Sequence, residues 1–360
     1  MPPNRERHES SGQAAHPASV LFEEGDGAAM LPVCDLYSGV EARMRKSLAL
    51  QAAWGPIFDV TLDNEDGAPV GAEVEHAHLI AELLGGADNR WGRVGVRLLD
   101  ARHDRFADVV QVVLKAQKAP AYLMIPKPQG VADLELAARV IDGCGGQGIA
   151  LHALVETHGA LREVDALAAH PRIESLSFGL MDFVSAHRGA IPQSAMGVVG
   201  QFTHPLVLRA KLEISAACHA HGKVPSHGVV TEFKDMAALS QAARQASQTL
   251  GYTRMWSIHP DQIRAIVQAF SPSTDEVEQA LDILLAAEAA NWAPVRHRDT
   301  LHDRASYRYF WQRLQRAVQG TAPPGGSAGS PSSPLDAAGL ASGALVPDDV
   351  RQRWFGSARR

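Results

Sequence analysis

The stretch IALHALVETHGALREVDALAAHPRIESLSFGLMDF, residues 149–183, contains two apolar runs separated by an amphipathic segment. The runs IALHALVE (149–156) and IESLSFG (173–179) have the length and composition of buried strands. A strand, a helix and a second strand in this order form a parallel pair joined by a right-handed crossover. The first run ends in an acid, Glu156, and the second is soon followed by one, Asp182. This unit therefore predicts a parallel sheet that brings carboxylates to one edge.

The same alternation extends along the chain in both directions. Six further runs are predicted strands: MLPVCDL (30–36), IFDVTLD (57–63), RVGVRLL (93–99), AYLMIP (121–126), GKVPSHG (222–228) and RMWSIH (254–259). Helical patterns lie between them, as in VADLELAARVIDG (131–143) and LVLRAKLEISAACHAHG (206–222). Eight strand–helix units in about 230 residues are typical of an α/β TIM barrel, (β/α)8. An open doubly wound sheet is less favoured because no Gly-x-Gly-x-x-Gly follows the first strand.

The domain organisation follows from composition. We expect a polar, disordered tail over 1–28, the barrel over 29–270, C-terminal helices that form a lid or an oligomer arm over 271–319, and a low-complexity tail over 320–360. The motif SPST (271–274) predicts an N-cap for the first of these helices. For the last residues, VPDDVRQRWFGSARR, a short docked helix and an unstructured end both remain open.

Bulk properties exclude several classes of protein. The formal net charge of the 360 residues is -6, so no basic field favours nucleic acid. No apolar run reaches the length of about 18 residues that a membrane span needs, and the N-terminus lacks the apolar segment of a secretory signal. The three cysteines are widely spaced and are expected to be reduced core thiols. We therefore expect a soluble, cytoplasmic protein.

Charged or titratable residues lie at or just after the carboxyl end of almost every predicted strand. They include Asp63, Glu65, Arg97, Lys127, Glu156, Asp182, His227 and His259. In a TIM barrel the carboxyl ends of the strands share one rim, and the active site lies there. Any one of these residues could instead be an ordinary solvated charge in a loop. Their coincidence at one rim favours a polar active site.

Two of these acids have the spacing of a metal site. Glu156 and Asp182 lie at or just after the ends of adjacent strands. Two carboxylates suffice for Mg²⁺, because this ion keeps several water molecules as ligands. Zinc is less favoured because the sequence has no His-Glu-x-x-His and no Cys/His pair with zinc spacing. The alternative is that Glu156 pairs with a basic rim residue, Arg97 or Lys127.

Several motifs together resemble the citrate lyase β-subunit-like branch of the HpcH/HpaI aldolase superfamily. The resemblance covers roughly residues 30–310. It is carried by ALVETHGALREVDALAAHPRIESLSFGLMDF (153–183), FDVTLDNEDGAP (58–69), GVRLLD (95–100) and MWSIHPDQIRAIVQAFSPSTDEVEQA (255–280), which occur in the family's order and approximate spacing.

The resemblance implies a Mg²⁺-dependent carbon–carbon lyase that cleaves a β-hydroxyacyl-CoA of the citryl-, malyl- or citramalyl-CoA type, with Mn²⁺ as an alternative ion. Members of the family are commonly trimers or hexamers, so a homo-oligomer is implied as well. Glu156 and Asp182 become the metal ligands, and Arg97 becomes the guanidinium that holds the substrate. An acid/base role falls on Asp303 in LHDRASYRYF (301–310), for which a helix N-cap is the alternative. The substrate-binding set is Arg97, Asp63, Glu65 and Lys127.

Three departures from the family pattern leave the use of CoA open. The opening strand, LPVCDLYSGVEARMRKSLAL (31–50), lacks the usual Pro-Gly, although Arg43, Arg45 and Lys46 are candidates for CoA phosphates. The segment IPKPQG (125–130) loses an acid, and the insertion over 179–205 is long for a βα loop. A metal-dependent aldolase or hydrolase acting on a free keto or hydroxy acid is the nearest alternative. A barrel that only binds ligands, without catalysis, is the second.

Overall fold

The computed structural model of the protein describes residues 16–23, 30–232, 234–319 and 345–356. Eight parallel strands close into a barrel in which every strand pairs with its sequence neighbours and β1 pairs with β8. This confirms the predicted TIM barrel. The strands are β1 Cys34–Ser38, β2 Asp59–Asp63, β3 Val94–Arg97, β4 Tyr122–Ile125, β5 Ala150–Val155, β6 Ile173–Phe178, β7 Val224–His227 and β8 Arg254–Ser257, and a separate hairpin contains β9 Val295–His297 and β10 Thr300–His302.

Helices connect the strands and continue after the barrel closes. In the described ranges they are α1 Pro17–Leu21, α2 Glu41–Trp54, α3 Glu73–Gly85, α4 Phe106–Leu114, α5 Val131–Gly143, α6 His158–Arg162, α7 Val164–Ala169, α8 Leu180–Ser185, α9 Gly200–Thr203, α10 Pro205–Ala220, α11 Met236–Arg244, α12 Gln262–Phe270, α13 Thr274–Ala289, α14 Arg304–Gln319 and α15 Asp348–Phe355. The insertion over 179–205 thus contains α8, α9 and a 3₁₀ turn at Gln193–Met196.

Strand β2 shows how the sequence divides the two faces of the barrel. In DVTLD, Val60 and Leu62 join the apolar core that also contains residues of the surrounding helices. The alternate residues Asp59, Thr61 and Asp63 are also fully buried, on the opposite face. Successive side chains of a strand point to opposite faces, so these three point into the barrel. The barrel interior is therefore polar along this strand.

The amino-terminal half of the barrel interior contains a closed ionic network. Arg254 lies 2.9 Å from Asp35 and 2.5 Å from Asp59, and all three side chains are inaccessible to solvent. Arg93 forms a second pair with Asp59 at 2.7 Å. Because each buried charge has an opposite partner, the desolvation penalty is compensated within the network. This layer supports the strands beneath the rim.

The chain divides into two compact units. One contains residues 28–271 and includes the barrel; the other contains residues 272–318 together with parts of both termini. In the second unit the Ser273 side chain accepts a hydrogen bond from the Glu276 amide, and the Glu276 side chain accepts one from the Ser273 amide. This capping box at the start of α13 confirms the predicted N-cap. The domain boundaries and the lid or arm role stay predictions.

Two short segments of the predicted tails are folded. Helix α1 buries Leu21, and α15 buries Val350 and Trp354, in an apolar cluster with α13 and α14. The expectation of disorder is wrong for residues 16–23, because this segment carries large apolar side chains that contribute to the cluster. Of the two alternatives for the last residues, the docked helix is the one observed. The other tail residues lie outside the described ranges.

All three cysteines are free thiols, with Cys34 and Cys218 buried and Cys144 half-buried. The described helices include none with the length and apolar character that a bilayer crossing requires.

Candidate active site

The two predicted metal ligands lie at the same edge of neighbouring strands. Glu156 follows β5 directly and is almost fully buried, whereas Asp182 lies in the first turn of α8, after β6, and is half-exposed. Burial and the nearby Asp182 charge raise the pKa of Glu156 to about 8. The main-chain amide of Lys127 donates a 2.8 Å hydrogen bond to Oε1 of Glu156, which opposes that shift.

Arg97 lies at the centre of the rim and is surrounded by acids. Its Nε and Nη2 donate to Asp63 at 2.6 and 3.0 Å. Its Nη1 lies 3.0 Å from Glu65, and its Nη2 lies 2.9 Å from Asp66. Glu65 is largely buried, while the Asp66 side chain is 60% exposed and is the accessible member of the group. The guanidinium is thus held by Asp63 at the end of β2 and by Glu65 and Asp66 in the loop that follows.

Lys127 connects this group to the metal-ligand pair. Its ammonium lies 2.6 Å from Glu65 and 4.0 Å from Asp182. Its side chain is about one-third exposed. The alternative in which Glu156 pairs with a basic side chain does not describe this arrangement, because Glu156 bonds to the main chain of Lys127 and the ammonium bonds to Glu65.

The rim carries more negative than positive charge. Five carboxylates share the cluster with two cationic side chains, Arg97 and Lys127; the carboxylates are Asp63, Glu65, Asp66, Glu156 and Asp182. The pKa of Glu156 is raised by burial and by Asp182, and among the described residues Glu156 forms no ion pair with a basic side chain. The all-oxygen donor pair suits Mg²⁺. No set of three or more His, Cys, Asp or Glu side chains in the described ranges is arranged to hold a metal, so the candidate is a two-carboxylate site.

Two aromatic residues of the site were missed by sequence reasoning. The Tyr37 hydroxyl accepts a 2.7 Å hydrogen bond from Nη2 of Arg97 and donates to Asp63. The Tyr37 ring stacks on Trp256, with centroids 5.6 Å apart and planes inclined by 13°. A polar residue at every second position of a buried strand is the available signal, as with Asp35 and Tyr37 on β1.

A basic cavity of about 560 Å³ adjoins the rim. It lies between the β1–α2 and β8–α12 loops, and its lining includes Tyr37, Arg43, Lys46 and His259. Arg45, on the same helix, instead forms ion pairs with Glu41 and with a residue of α3. Of the three cations proposed for CoA phosphates, two therefore line the cavity and one does not.

Two predicted site residues have other surroundings. His227 is fully buried, stacks on Phe202 with centroids 5.3 Å apart and contacts Tyr252 edge-on, so the expectation that it reaches the rim is wrong. An outward-facing position at the end of β7 explains the difference. Asp303, in the second unit, accepts hydrogen bonds from the amides of Ala305 and Ser306 and caps α14.

Known proteins resemble this chain over most of its length. No protein-family profile matches the sequence. The crystal structure of a citrate lyase from Burkholderia xenovorans LB400 is 55% identical, covers 86% of this chain and 98% of that chain, and has a TM-score of 0.77. An L-malyl-CoA/beta-methylmalyl-CoA lyase of Cereibacter sphaeroides is 28% identical over 253 residues, 64% of this chain and 77% of the relative. The protein CitE of Mycobacterium tuberculosis is 20% identical, with a TM-score of 0.62 over 80% of this chain and 98% of that chain, a likeness of fold alone.

A closed parallel barrel with charged side chains gathered at the carboxyl ends of its strands is the architecture of a TIM-barrel enzyme. The chain belongs to the citrate lyase β-like, CoA-ester lyase branch of the HpcH/HpaI superfamily. It is accordingly a carbon–carbon lyase by class.

Proposed function

We propose that the protein is a Mg²⁺-dependent lyase that cleaves a β-hydroxyacyl-CoA into a keto acid and an acyl-CoA. The observation that carries the proposal is the buried Glu156 carboxylate, with its pKa raised to about 8, beside Asp182. In the lyase reaction the bond between the α and β carbons breaks, the β-hydroxyl loses its proton to become the keto group, and the electron pair leaves on the thioester α-carbon, which is then protonated.

Glu156 and Asp182 would hold the metal. Their oxygen donors and the negative charge of the rim fit a hard divalent cation. When bound, Mg²⁺ supplies Lewis-acid stabilisation of the oxygen that becomes the keto group. The Mycobacterium tuberculosis protein CitE has been crystallised with magnesium, acetoacetate and coenzyme A, which supports the same ion and ligand class here.

Arg97 would bind the carboxylate of the keto-acid half. A guanidinium presents paired N–H donors that match a carboxylate. Its present partner Asp66 is 60% exposed and is therefore the acid that a substrate carboxylate can replace at least cost. Asp63 is fully buried and stays in place, so Arg97 keeps its orientation while one donor changes partner. Lys127 and Glu65 would line the same pocket.

The basic cavity would hold the phosphates of CoA. Arg43 and Lys46 both line it and both are exposed, so their charges are accessible to an anion. The cavity adjoins the carboxylate cluster through Tyr37, which belongs to both. This arrangement favours the thioester over the alternative of a free keto or hydroxy acid.

The decisive experiment combines binding and turnover. Chelator-treated protein would be titrated calorimetrically with Mg²⁺, then with acetyl-CoA, pyruvate and glyoxylate separately. Malyl-, citramalyl- and citryl-CoA would then be assayed for keto acid and for free thiol. We expect Mg²⁺-dependent release of keto acid without free thiol. Free thiol would instead identify a thioesterase, and keto-acid binding without CoA affinity would identify an aldolase.

Two variants on helix α2 form a matched pair for the cavity. Lys46→Ala and Arg45→Ala each remove one positive charge, but only Lys46 lines the cavity. We expect weaker acetyl-CoA binding in Lys46→Ala by about threefold to tenfold, and no change in Arg45→Ala. An equal loss in both variants would mean that helix charge alone attracts the ligand.

A further inference from the structure

Tyr37 belongs both to the carboxylate cluster at the rim and to the wall of the basic cavity. On the rim side, its hydroxyl lies between Arg97 and Asp63, and the guanidinium carbon of Arg97 lies 5.0 Å from the ring centroid. Its ring is held in place by stacking on Trp256 of the neighbouring strand β8. The ring and the hydroxyl are therefore both fixed by the barrel.

On its other side, Tyr37 forms part of the wall of the basic cavity with Arg43 and Lys46. The side chain is half-buried, so part of it is accessible to a ligand. Because Tyr37 contacts Arg97 and lines the cavity, a molecule that occupies both places would lie against this side chain.

The hydroxyl also differs in kind from the other partners of Arg97. Asp63, Glu65 and Asp66 are acids, and an incoming carboxylate is repelled by each acid that stays. The hydroxyl is neutral, and burial together with the nearby acids keeps it so by raising its pKa. It can hold Nη2 of Arg97 in place while a substrate carboxylate replaces Asp66.

We propose that Tyr37 is a positioning and specificity-determining residue that fixes Arg97 where the basic cavity meets the carboxylate cluster. It thereby sets the separation between the anionic tail and the reacting head of a substrate. The inference rests on the proposed function, because it requires a ligand with a tail and a carboxylate-bearing head. The ligand class is a CoA thioester of a hydroxydicarboxylic acid.

A second tyrosine provides a matched control. Tyr122 on β4 has the same kinds of neighbour: its hydroxyl accepts a 3.3 Å bond from Arg254 and donates to Asp35, and Arg254 lies 5.7 Å from its ring centroid. Unlike Tyr37, it is completely buried and belongs to the network below the rim. Tyr122→Phe therefore shows how much the kinetics change when a tyrosine beside an arginine–aspartate pair loses a purely structural hydroxyl.

The test compares steady-state kinetics of the Mg²⁺-loaded wild type, Tyr37→Phe, Tyr37→Leu and Tyr122→Phe on malyl-CoA and on the malyl thioester of N-acetylcysteamine, which lacks the nucleotide. Tyr37→Phe keeps the stacked ring but loses both hydrogen bonds, so we expect kcat on malyl-CoA to fall about tenfold with KM within about twofold. Tyr37→Leu removes the wall as well, so we expect its preference for malyl-CoA over the short thioester to fall about tenfold. Calorimetric titration with acetyl-CoA should show weaker binding in Tyr37→Leu only.

Each result bears on one proposal. Tyr122→Phe should keep kcat and KM within about twofold of the wild type, even if its melting temperature falls. Unchanged kinetics in Tyr37→Phe, or an equal loss of kcat in Tyr122→Phe, would overturn the proposed role of Tyr37. The lyase function would still stand in that case, because the wild type would be active. A wild type that cleaves no hydroxyacyl thioester would overturn the lyase function, and this role with it.

Discussion

The main-chain amide of Lys127 donates a 2.8 Å hydrogen bond to the carboxylate of Glu156. Lys127 adopts a φ of 49°, in the left-handed region that non-glycine residues rarely occupy. The loop after β4 turns at this residue. On its other side, Glu156 packs so closely against Gly179 that a Cβ there would collide with the carboxylate. Two loops therefore fix Glu156 before any ligand arrives, as pre-organised catalysis requires.

Glu156→Gln tests the carboxylate without disturbing this packing. Glutamine keeps the volume and the acceptor for the Lys127 amide but removes the charge. We expect Mg²⁺ binding to be lost in calorimetry and kcat/KM to fall about 100-fold or more, with the melting temperature retained. The matched control is Glu163→Gln, because Glu163 accepts the Val131 amide at 2.9 Å in the same manner. Loss of fold in Glu156→Gln would indicate a structural carboxylate instead.

Mg²⁺ affinity should depend on pH through Glu156. The pKa of the metal-free carboxyl is about 8, so below that pH the ion must displace a proton before it binds. The apparent affinity should therefore fall by up to about tenfold per pH unit below about pH 8 and level off above it. Titrations with Mg²⁺ between about pH 6.5 and about pH 9 would measure this. An affinity independent of pH over that range would contradict a buried Glu156 ligand.

Much of the barrel could be predicted because its signals are local. Strand β5 was predicted over 149–156 and is observed at Ala150–Val155. Strand β1 was predicted too early, over 30–36, but is observed at Cys34–Ser38. The apolar run begins several residues before the observed strand. The strand itself ends with two polar residues, Tyr37 and Ser38, which belong to the barrel rather than to a loop.

The contacts that complete the site are not local in sequence. Asp63, Glu65, Arg97 and Lys127 are predicted because each lies at or just after the carboxyl end of a predicted strand, and the structure brings them together. Tyr37 and Trp256 become neighbours only when β1 pairs with β8, which joins residues more than 200 positions apart. No periodicity in a single strand specifies that closure.

Removing Arg254 should destabilise the barrel. Asp35 would lose its ion-pair partner inside the protein, while Asp59 would keep Arg93. We expect Arg254→Met to lower the free energy of unfolding by about 3–5 kcal/mol, because an unpaired buried charge is left behind. Arg93→Met is the comparison: its side chain is 30% exposed, and Asp59 would retain Arg254, so a loss of about 1 kcal/mol is expected. Urea unfolding of both variants would measure the difference, and equal losses would contradict it.

His227 should make the folded state sensitive to acid. Burial, and then the nearby Lys211, lower the pKa of this imidazole well below its usual value. Below about pH 6.5 the unfolded chain binds a proton that the folded chain excludes, so stability falls as pH falls, by up to about 1.4 kcal/mol per unit from this group. In urea unfolding between about pH 7 and about pH 5, His227→Gln should show a smaller slope than the wild type. An identical slope would mean that His227 takes up a proton equally in the folded and unfolded states.

Asp303→Asn separates the two roles of the residue that caps α14. The cap needs only a side-chain oxygen that accepts the amides of Ala305 and Ser306, and asparagine is as good an N-cap as aspartate. Proton transfer to the acyl product, the role that the family resemblance implies, needs the carboxyl group itself. We therefore expect thermal stability to be retained while kcat on a hydroxyacyl-CoA falls by about 100-fold or more, the usual contribution of a general acid. Asp303→Ala should lose about 1 kcal/mol of stability in addition. Full activity in Asp303→Asn would leave Asp303 as a helix cap alone, and the proton would have to come from another group.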